Sequence, residues 1–529
     1  MLDASSSRPA HAIQNAALIA LSLALLPLDT FILAASIALN FVLTPWAIKN
    51  RRTVRSTYTP IKPTKTILVT GVGMTKGLAL ARLFYAAGHT LIGADFEPSP
   101  FMPIASGRTS KALKAFYQLS KPDAGSGGSA KYTHSILDIV RKENVDIWVS
   151  CSGVASAIED GEAKEMVELA TKCKAVQFDV ANTKRLHEKH SFMEYTKTLG
   201  LPIPDTHTIT SKAAALQLLD DAAADSKTKS KKERKKYIMK YIGTDDSVRG
   251  DMTLLPLETP AATKAHISRL PISEDRPWIL QQYIAGPEYC THALVIRGEV
   301  KAFVACPSAE LLMHYEALPQ DSGLSQSMLR FTQEYAAAGG RSFTGHLSFD
   351  FLVEMGEAEA ALRDPTKNVK LYPIECNPRA HTAVVLFNDT PEMADAYITL
   401  LSDDPTKPST KLEQAKKEGM TNGLAPQPIF PRPPTQKYYW IGHDLVELAI
   451  MPLVSLFTAS GPSFTEVFES VSLFFEHVLF WKDGSFELWD PWPAWWLYHV
   501  YWPTQFLMAL LHGKKWSRIN VSTTKMFMC

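Results

Sequence analysis

Residues 374–383 read IECNPRAHTA, and they follow a run, VKLYPIEC, that has the composition of a strand. Side chains two apart on a strand point the same way. Glu375 and Asn377 therefore share a face, and Arg379 follows just past the strand end, with Pro373 and Pro378 around them. Two hard oxygen ligands and a guanidinium are a set that can hold magnesium and a phosphate. The same residues would also make an ordinary solvated strand end with a salt bridge, so the surrounding chain has to decide.

Four stretches upstream bear on that choice. GHLSFDFLVEM (345–355) alternates cleanly: Leu347, Phe349, Phe351 and Val353 take one face, Ser348 and Asp350 the other. WILQQYIAGPEYCTH (278–292) reads as a strand running into Gly286, with Glu288 just after. KYIMKYIG (236–243) is a strand whose Lys240 shares a face with Ile238 and Ile242. LHEKHSFMEYTKTLGLPIPDT (186–206) places Lys189 at a helix start. Together they offer what a nucleoside triphosphate requires: Lys189 and Lys240 for phosphates, the QQYI segment for a purine, and Glu288 for ribose hydroxyls. Asp350, Glu375 and Asn377 would take a cation that prefers oxygen ligands. Arg379 would stabilise charge on a transferred phosphoryl group.

The rest of the chain sets the frame. Its 529 residues allow several domains. Lys plus Arg number 55 against 54 Asp plus Glu, which leaves no global field to attract nucleic acid. The lysine-rich run at 222–236 reads as a solvated loop. Six cysteines with no CxxC fit a reducing compartment and exclude a zinc ribbon or disulfide framework. From residue 65 to about 183, strands alternate with helices, which predicts a Rossmann-like parallel sheet. Gly71, Gly73 and Gly77 do not form GxGxxG, and Tyr117 and Lys121 lie too early to be a catalytic Tyr-x-x-x-Lys pair, so a nicotinamide-dependent oxidoreductase is the weaker reading. Residues 184–402 change to an antiparallel pattern, giving an α/β and α+β chain overall. Residues 356–368 look like an insertion, and 403–437 form a proline-rich linker.

Both ends are apolar. Residues 16–44 are almost wholly apolar except Asp29, and Lys49, Arg51, Arg52 and Arg55 follow. The first 55 residues are expected to attach the chain to the cytoplasmic face of a membrane, because positive residues favour the cytosolic side. A carboxylate at mid-depth is costly, so the expected form is two short helices broken at Pro27-Leu28-Asp29. In the region 438–529, seven of the eleven tryptophans fall between Trp481 and Trp516, which suits a membrane interface.

The ordered pattern Lys…Lys…QxxIxGxE…D…ExNPR resembles the ATP-grasp superfamily of ligases. The phrases GMTKGLALARLFYAAGH, KYIMKYIGTDDSVRGDMTLLPLETP, LPISEDRPWILQQYIAGPEYCTHALV and IECNPRAHTAV resemble one branch in particular, the mycosporine-glycine synthases of cyanobacterial type. The resemblance implies an ATP-grasp domain at 184–402 behind a Rossmann-like domain at 65–183. It implies ATP and one or two Mg2+ ions as cofactors, with Lys189, Lys240, Gln281, Gln282, Tyr283, Ile284 and Glu288 on the nucleotide and Asp350, Glu375 and Asn377 on the metal. Arg379 and Lys240 would be catalytic. His381 and Thr382 would face the acceptor, with Arg249 and His292 further candidates and Ser247 beside Arg249. The implied reaction phosphorylates a cyclohexenone such as 4-deoxygadusol and condenses it with an amino acid, glycine or another. A carboxylate–amine ligase acting through an acyl phosphate would use the same residues.

Overall fold

A computed structural model describes residues 2, 5–54, 63–98, 102–122, 128–151, 153, 156–225, 235–241, 252–308, 313–402, 427–456 and 461–529. Arg249, Ser247, residues 226–234 of the lysine-rich run and most of the proline-rich segment lie outside them.

The first sheet is parallel. Strands β1 (Thr66–Thr70), β2 (Thr90–Phe96), β3 (Ala115–Leu119), β4 (Ile147–Ser150) and β5 (Lys174–Val176) lie in the order β3-β2-β1-β4-β5. Buried on both faces, β1 is a continuous apolar run rather than an alternating one. A turn with Gly71 at φ +77 leads to helix α2 (Thr75–Ala86). A Cβ on Gly77 would stand 2.3 Å from the carbonyl oxygen of Gly71, so only glycine lets the helix start sit this close to the turn.

Two antiparallel sheets follow. In the smaller, β6 (Thr206–Ile209) and β7 (Lys236–Tyr241) flank β8 (Trp278–Tyr283). In the larger, β9 (Glu288–Ile296), β10 (Glu299–Pro307), β11 (Gly345–Leu352) and β12 (Tyr372–Asn377) run in the order β10-β9-β11-β12. Phe349 and Phe351 of β11 pack edge-on against Phe331 from the Gly323–Ala338 helix. The 356–368 segment is a short helix, Met355–Arg363, that buries Ala358 and Ala361 in the same core. Ile429, at the described end of the proline-rich segment, bridges to Ala302 and so straps the edge strand β10.

The two apolar ends pack together, and here the local signals mislead. Residues Arg8–Val54 form one continuous helix, α1, not a hairpin broken at Pro27. Proline inside a helix costs about 3 kcal/mol, and contacts on both sides of it hold α1 straight through. Ser22 donates to the carbonyl of Tyr498 at 2.9 Å, and Asp29 meets His499 Nε2 at 2.8 Å. Thr30 Oγ1 accepts from the Trp495 indole at 3.1 Å, Asn15 Oδ1 from Trp516 at 2.9 Å, and Asn40 donates to the carbonyl of Leu488. Asn15, Ser22, Asp29 and the buried Ser36 are seven apart, so one stripe of α1 lies along the body. The tryptophans mostly face inward too: Trp502 and Trp516 are buried, and Trp496 donates to the carbonyl of Ile104. The exposed apolar surface comes instead from the outer face of α1, with Phe31 70% and Phe41 84% exposed, and from the Phe464–Phe480 helix.

Candidate active site

The antiparallel register brings the predicted oxygen ligands together. Asp350 stands opposite Glu375 and Ser348 opposite Asn377 across β11 and β12, with a bulge after Asp350. Asn377 Nδ2 donates to Asp350 Oδ2 at 3.2 Å. Burial first, then the Glu375 and Glu288 charges, push the Asp350 carboxyl up to about 8. Burial pushes Glu375 up as well. The Lys189 ammonium, 2.9 Å away and hydrogen-bonded to it, outweighs that with help from Arg379 and holds Glu375 below its ordinary value.

Lys240 approaches from the smaller sheet. Its ammonium donates to Gln281 Oε1 at 2.7 Å. Burial, then repulsion by Lys189, lower it to about 8, while Glu375 and Glu288 pull the other way. Lys240 from the smaller sheet and Lys189 from the helix Lys189–Thr198 thus come near the carboxylates of the larger sheet, and the space among them is the candidate cleft. Glu288 opens β9, is exposed, and accepts from Ser308 Oγ at 2.8 Å. Before it, Gly286 has no room for a side chain: a Cβ would lie 1.8 Å from the Val353 carbonyl oxygen.

The QQYI segment differs from expectation in one respect. A purine is expected to hydrogen-bond to a strand edge, but β8 is the central strand of its sheet. The Gln282 N–H donates to the Asp205 carbonyl at 2.7 Å, and Gln281 is buried, its side chain bridging Lys240 and Thr206. Tyr283 ends the strand with its side chain exposed, opposite Lys236. Ile284, buried just past that end, lies beyond the paired register and so has the backbone position best suited to meet a purine.

Two polar atoms of the cleft stand out. Asn377 Oδ1 and Arg379 Nη1 are shielded from solvent and have no hydrogen-bond partner. Buried polar groups are nearly always paired, and an orphan calls for a bound group or ion. An unpartnered oxygen beside Asp350 and Glu375 fits a divalent cation, and an unpartnered guanidinium N–H fits an anion. These residues therefore fit magnesium and a phosphate. Ser348 Oγ, on the same face, is also orphaned.

Behind the cleft lies a layer of histidines. The His381 N–H donates to His292 Nδ1 at 3.3 Å, so His292 carries its proton on Nε2, which has no partner. His292 packs against His346 and Phe387 and is fully buried. Burial, helped by the Lys76 charge, lowers His346 and His381 to about 3, and His292 falls well below its ordinary value. All three are neutral at physiological pH, and they form a wall rather than an acid–base relay. Thr382 Oγ1 reaches Ser522 Oγ at 3.4 Å, which joins this wall to the C-terminal hairpin.

One residue was missed. Lys76 is buried at the start of α2 and donates to the Ala380 carbonyl at 3.0 Å, directly behind Arg379. Burial and then Arg379 lower it to about 7. A lysine in the first turn of a helix opposes the macrodipole, and that mismatch was the available signal.

The glycine turn of the parallel sheet is filled by the chain itself. Asp95 Oδ2 accepts the Gly73 N–H at 2.6 Å, and Gly107 presses close against the carbonyl of Val72. That is where a dinucleotide pyrophosphate would lie in a Rossmann site. A cavity of about 650 Å³ by Pro98, Gly153 and Tyr501 contains none of the residues above.

No protein-family model matches the chain, and no curated protein matches it. Among solved structures it is similar to the L-amino acid ligase from Bacillus licheniformis, at 13% identity and a TM-score of 0.36 over 60% of this chain and 68% of that one. It is also similar to N5-carboxyaminoimidazole synthetase from Staphylococcus aureus complexed with ADP, at 14% identity and 0.40 over 62% and 73%. A third is phosphoribosylamine–glycine ligase from Thermotoga maritima, at 14% and 0.38 over 65% and 77%.

Proposed function

We propose that this chain is an ATP-grasp ligase, working at a membrane surface, that forms a C–N bond between a cyclohexenone of the 4-deoxygadusol type and an amino acid. The observation that carries the ligase reading is the pair of orphaned atoms, Asn377 Oδ1 and Arg379 Nη1, on residues that neighbour the Asp350 and Glu375 carboxylates. The finer substrate assignment rests on the resemblance of the sequence phrases.

In this reading Asp350, Glu375 and Asn377 hold Mg2+. A bound ion would supply positive charge for the phosphate oxygens, and Asp350 would hold it as a carboxylate. Lys189 and Lys240 hold phosphates by charge, and Ile284 and Glu288 seat the adenosine. The γ-phosphoryl group passes to the enolate oxygen of the ring, a vinylogous acid that has already given its proton to solvent, and ADP leaves. The amine of the amino acid then adds to the carbon bearing that phosphate, the amine loses a proton, and inorganic phosphate departs with the C–O bond to give an enaminone. Arg379 offers its unpaired N–H to the charge that develops on the phosphoryl oxygens, so positioning and electrostatics supply the rate. The neutral histidine wall adds no competing charge behind it. The Asp95-filled glycine turn speaks against a nicotinamide cofactor.

The membrane part of the proposal rests on shape. Within Arg8–Leu43 the α1 helix has an apolar window of mean hydropathy 2.2, and the helix is long enough to cross a bilayer. Its polar stripe is bound along the body, so an in-plane position, with its outer face and the Phe464–Phe480 helix in the lipid, satisfies both faces. The basic residues at 49–55 favour the cytosolic leaflet.

The test is ADP release by the full chain with Mg2+, ATP and 4-deoxygadusol across a panel of amino acids, watched for a new ultraviolet band. Release that requires both the ring and one amino acid is the expected result. Release only with a carboxylate and an amine would keep the ligase and replace the ring. Carbonate extraction of membranes from expressing cells tests the location, and a fully soluble chain would remove that part of the proposal.

A further inference from the structure

A second constellation lies outside the cleft. His314 follows β10, Asp444 ends the short Ile441–Asp444 helix, and His477 sits in the last turn of the Phe464–Phe480 helix. Asp444 Oδ1 and Oδ2 lie 2.9 and 3.1 Å from His314 Nε2, and Oδ2 lies 2.5 Å from His477 Nδ1. The three ligand atoms fall within 4.8 Å of one another. We propose that His314, Asp444 and His477 bind a divalent first-row transition-metal ion, zinc by preference, which clasps the Phe464–Phe480 helix to the core.

Three observations carry this. The Asp444 carboxylate is completely buried, and among the described residues no lysine or arginine pairs with it. Asp490, the other fully buried carboxylate at this end of the chain, meets Arg82. The side-chain partners of Asp444 among the described residues are two imidazoles, and a carboxylate buried among aromatic rings is expensive unless its charge is met. A divalent ion removes that cost. Next, the spacing is close to what an ion demands. Bonds of roughly 2.0–2.2 Å in a tetrahedron put ligand atoms roughly 3.4 Å apart, so a small opening of the carboxylate–imidazole contacts admits the ion. Finally, the ligands join segments 130 and 33 positions apart in the chain, the arrangement of a structural clasp.

Two imidazoles and one carboxylate, with no thiolate, select zinc or a neighbour over magnesium and calcium. His314 is partly exposed, 27% at its side chain, and leaves a side open for water as fourth ligand. Trp481 closes the other side, its ring 4.4 Å from that of His477 and edge-on to His314. The clasp has an evident load. The Phe464–Phe480 helix fully buries only Val467 and His477, and Ser470 donates to the Leu448 carbonyl, so an ion at His477 would add an anchor near its C-terminal end. The inference stands apart from the ligase reading, since none of its residues lies in the cleft.

The experiment is metal analysis of the full chain purified in detergent from zinc-supplemented cells, with X-ray absorption at the zinc edge. Roughly one equivalent of zinc per chain, in a shell of nitrogen and oxygen without sulfur, is expected. Cobalt added after chelation should give visible d–d absorption. His314→Ala/His477→Ala should lose both signals, and Glu375→Gln, which alters only the cleft, should keep them. Should the double variant fail to fold, the wild-type absorption spectrum decides alone. Less than about a tenth of an equivalent in the supplemented wild type, or zinc undiminished in a folded double variant, would overturn the proposal and leave a hydrogen-bonded His–Asp–His triad.

Discussion

Two buried polar groups in this molecule use the same chemistry and differ in completion. At the clasp between α2 and the C-terminal region, Arg82 Nε meets Asp490 Oδ2 at 3.0 Å, and its two terminal nitrogens donate to the carbonyls of Ser485 and Asp490. Asp490 also accepts from Ser110 Oγ at 2.6 Å and from the Lys111 N–H at 2.8 Å. In the cleft, Arg379, Asp350, Glu375 and Asn377 make another arginine–carboxylate group, yet Arg379 Nη1 and Asn377 Oδ1 are left without partners. A finished network fixes a fold. An unfinished one, held in place by finished neighbours, is poised for a ligand. The difference separates structure from function where residue types do not.

The sharpest way to break this comparison is to treat both sites alike. Asp490→Ala should leave the Arg82 guanidinium buried and unpaired and cost about 3–5 kcal/mol of stability, read by denaturant unfolding in detergent, while the folded fraction keeps its turnover. Glu375→Gln should do the reverse. Turnover, measured as ADP release, should fall by about 10²–10³-fold, with thermal stability unchanged or raised, because the change also relieves the repulsion that burdens Asp350. A stable, inactive Asp490→Ala or an unstable, active Glu375→Gln would dissolve the distinction.

The sequence carried the cleft further than it carried the ends. Alternation in GHLSFDFLVEM and YPIECN is a local property, and once those strands pair, Asp350 must face Glu375. The path of α1 is not local. Pro27 and Asp29 argue for a break, and what overrules them are Tyr498, His499 and Trp495, more than 460 positions away. The tryptophans misled for the same reason. Their composition suits an interface, but the indoles of Trp495, Trp496 and Trp516 donate to Thr30, Ile104 and Asn15 of the protein itself. The central place of β8 needed the topology, since no pattern in QQYI tells a middle strand from an edge. The neutrality of His292 and His381 follows from burial behind the cleft, which the order of residues does not reveal.

A third prediction sharpens the electrostatic half of the comparison. Lys240 is lowered to about 8 by burial and by Lys189. It is charged below that value and neutral above it, and only the ammonium holds a phosphate. At saturating Mg2+, which keeps Asp350 ionised, the kcat/KM for ATP, which reports the enzyme before ATP binds, should fall as pH rises through about 8, approaching about tenfold per pH unit. Lys240→Arg, whose guanidinium stays charged, should flatten that limb even where its rate is lower. Above pH 8 an unchanged wild-type profile would mean that the Lys240 charge is not used.

The smallest effect tests whether finished networks are independent of the cleft. Trp495→Phe keeps an aromatic ring, though a smaller one, and removes the indole N–H that reaches Thr30 on α1. One such hydrogen bond contributes about 1 kcal/mol net. Ser22 and Asp29 still tie the helix nearby through Tyr498 and His499, so the loss should stay near that figure. The kcat/KM for ATP should not change, because none of the cleft residues touches this seam. A fall in activity larger than the fall in stability would mean that α1 transmits its position to the cleft. The histidine wall behind Arg379, which Thr382 joins to the C-terminal hairpin through Ser522, would be the route to examine.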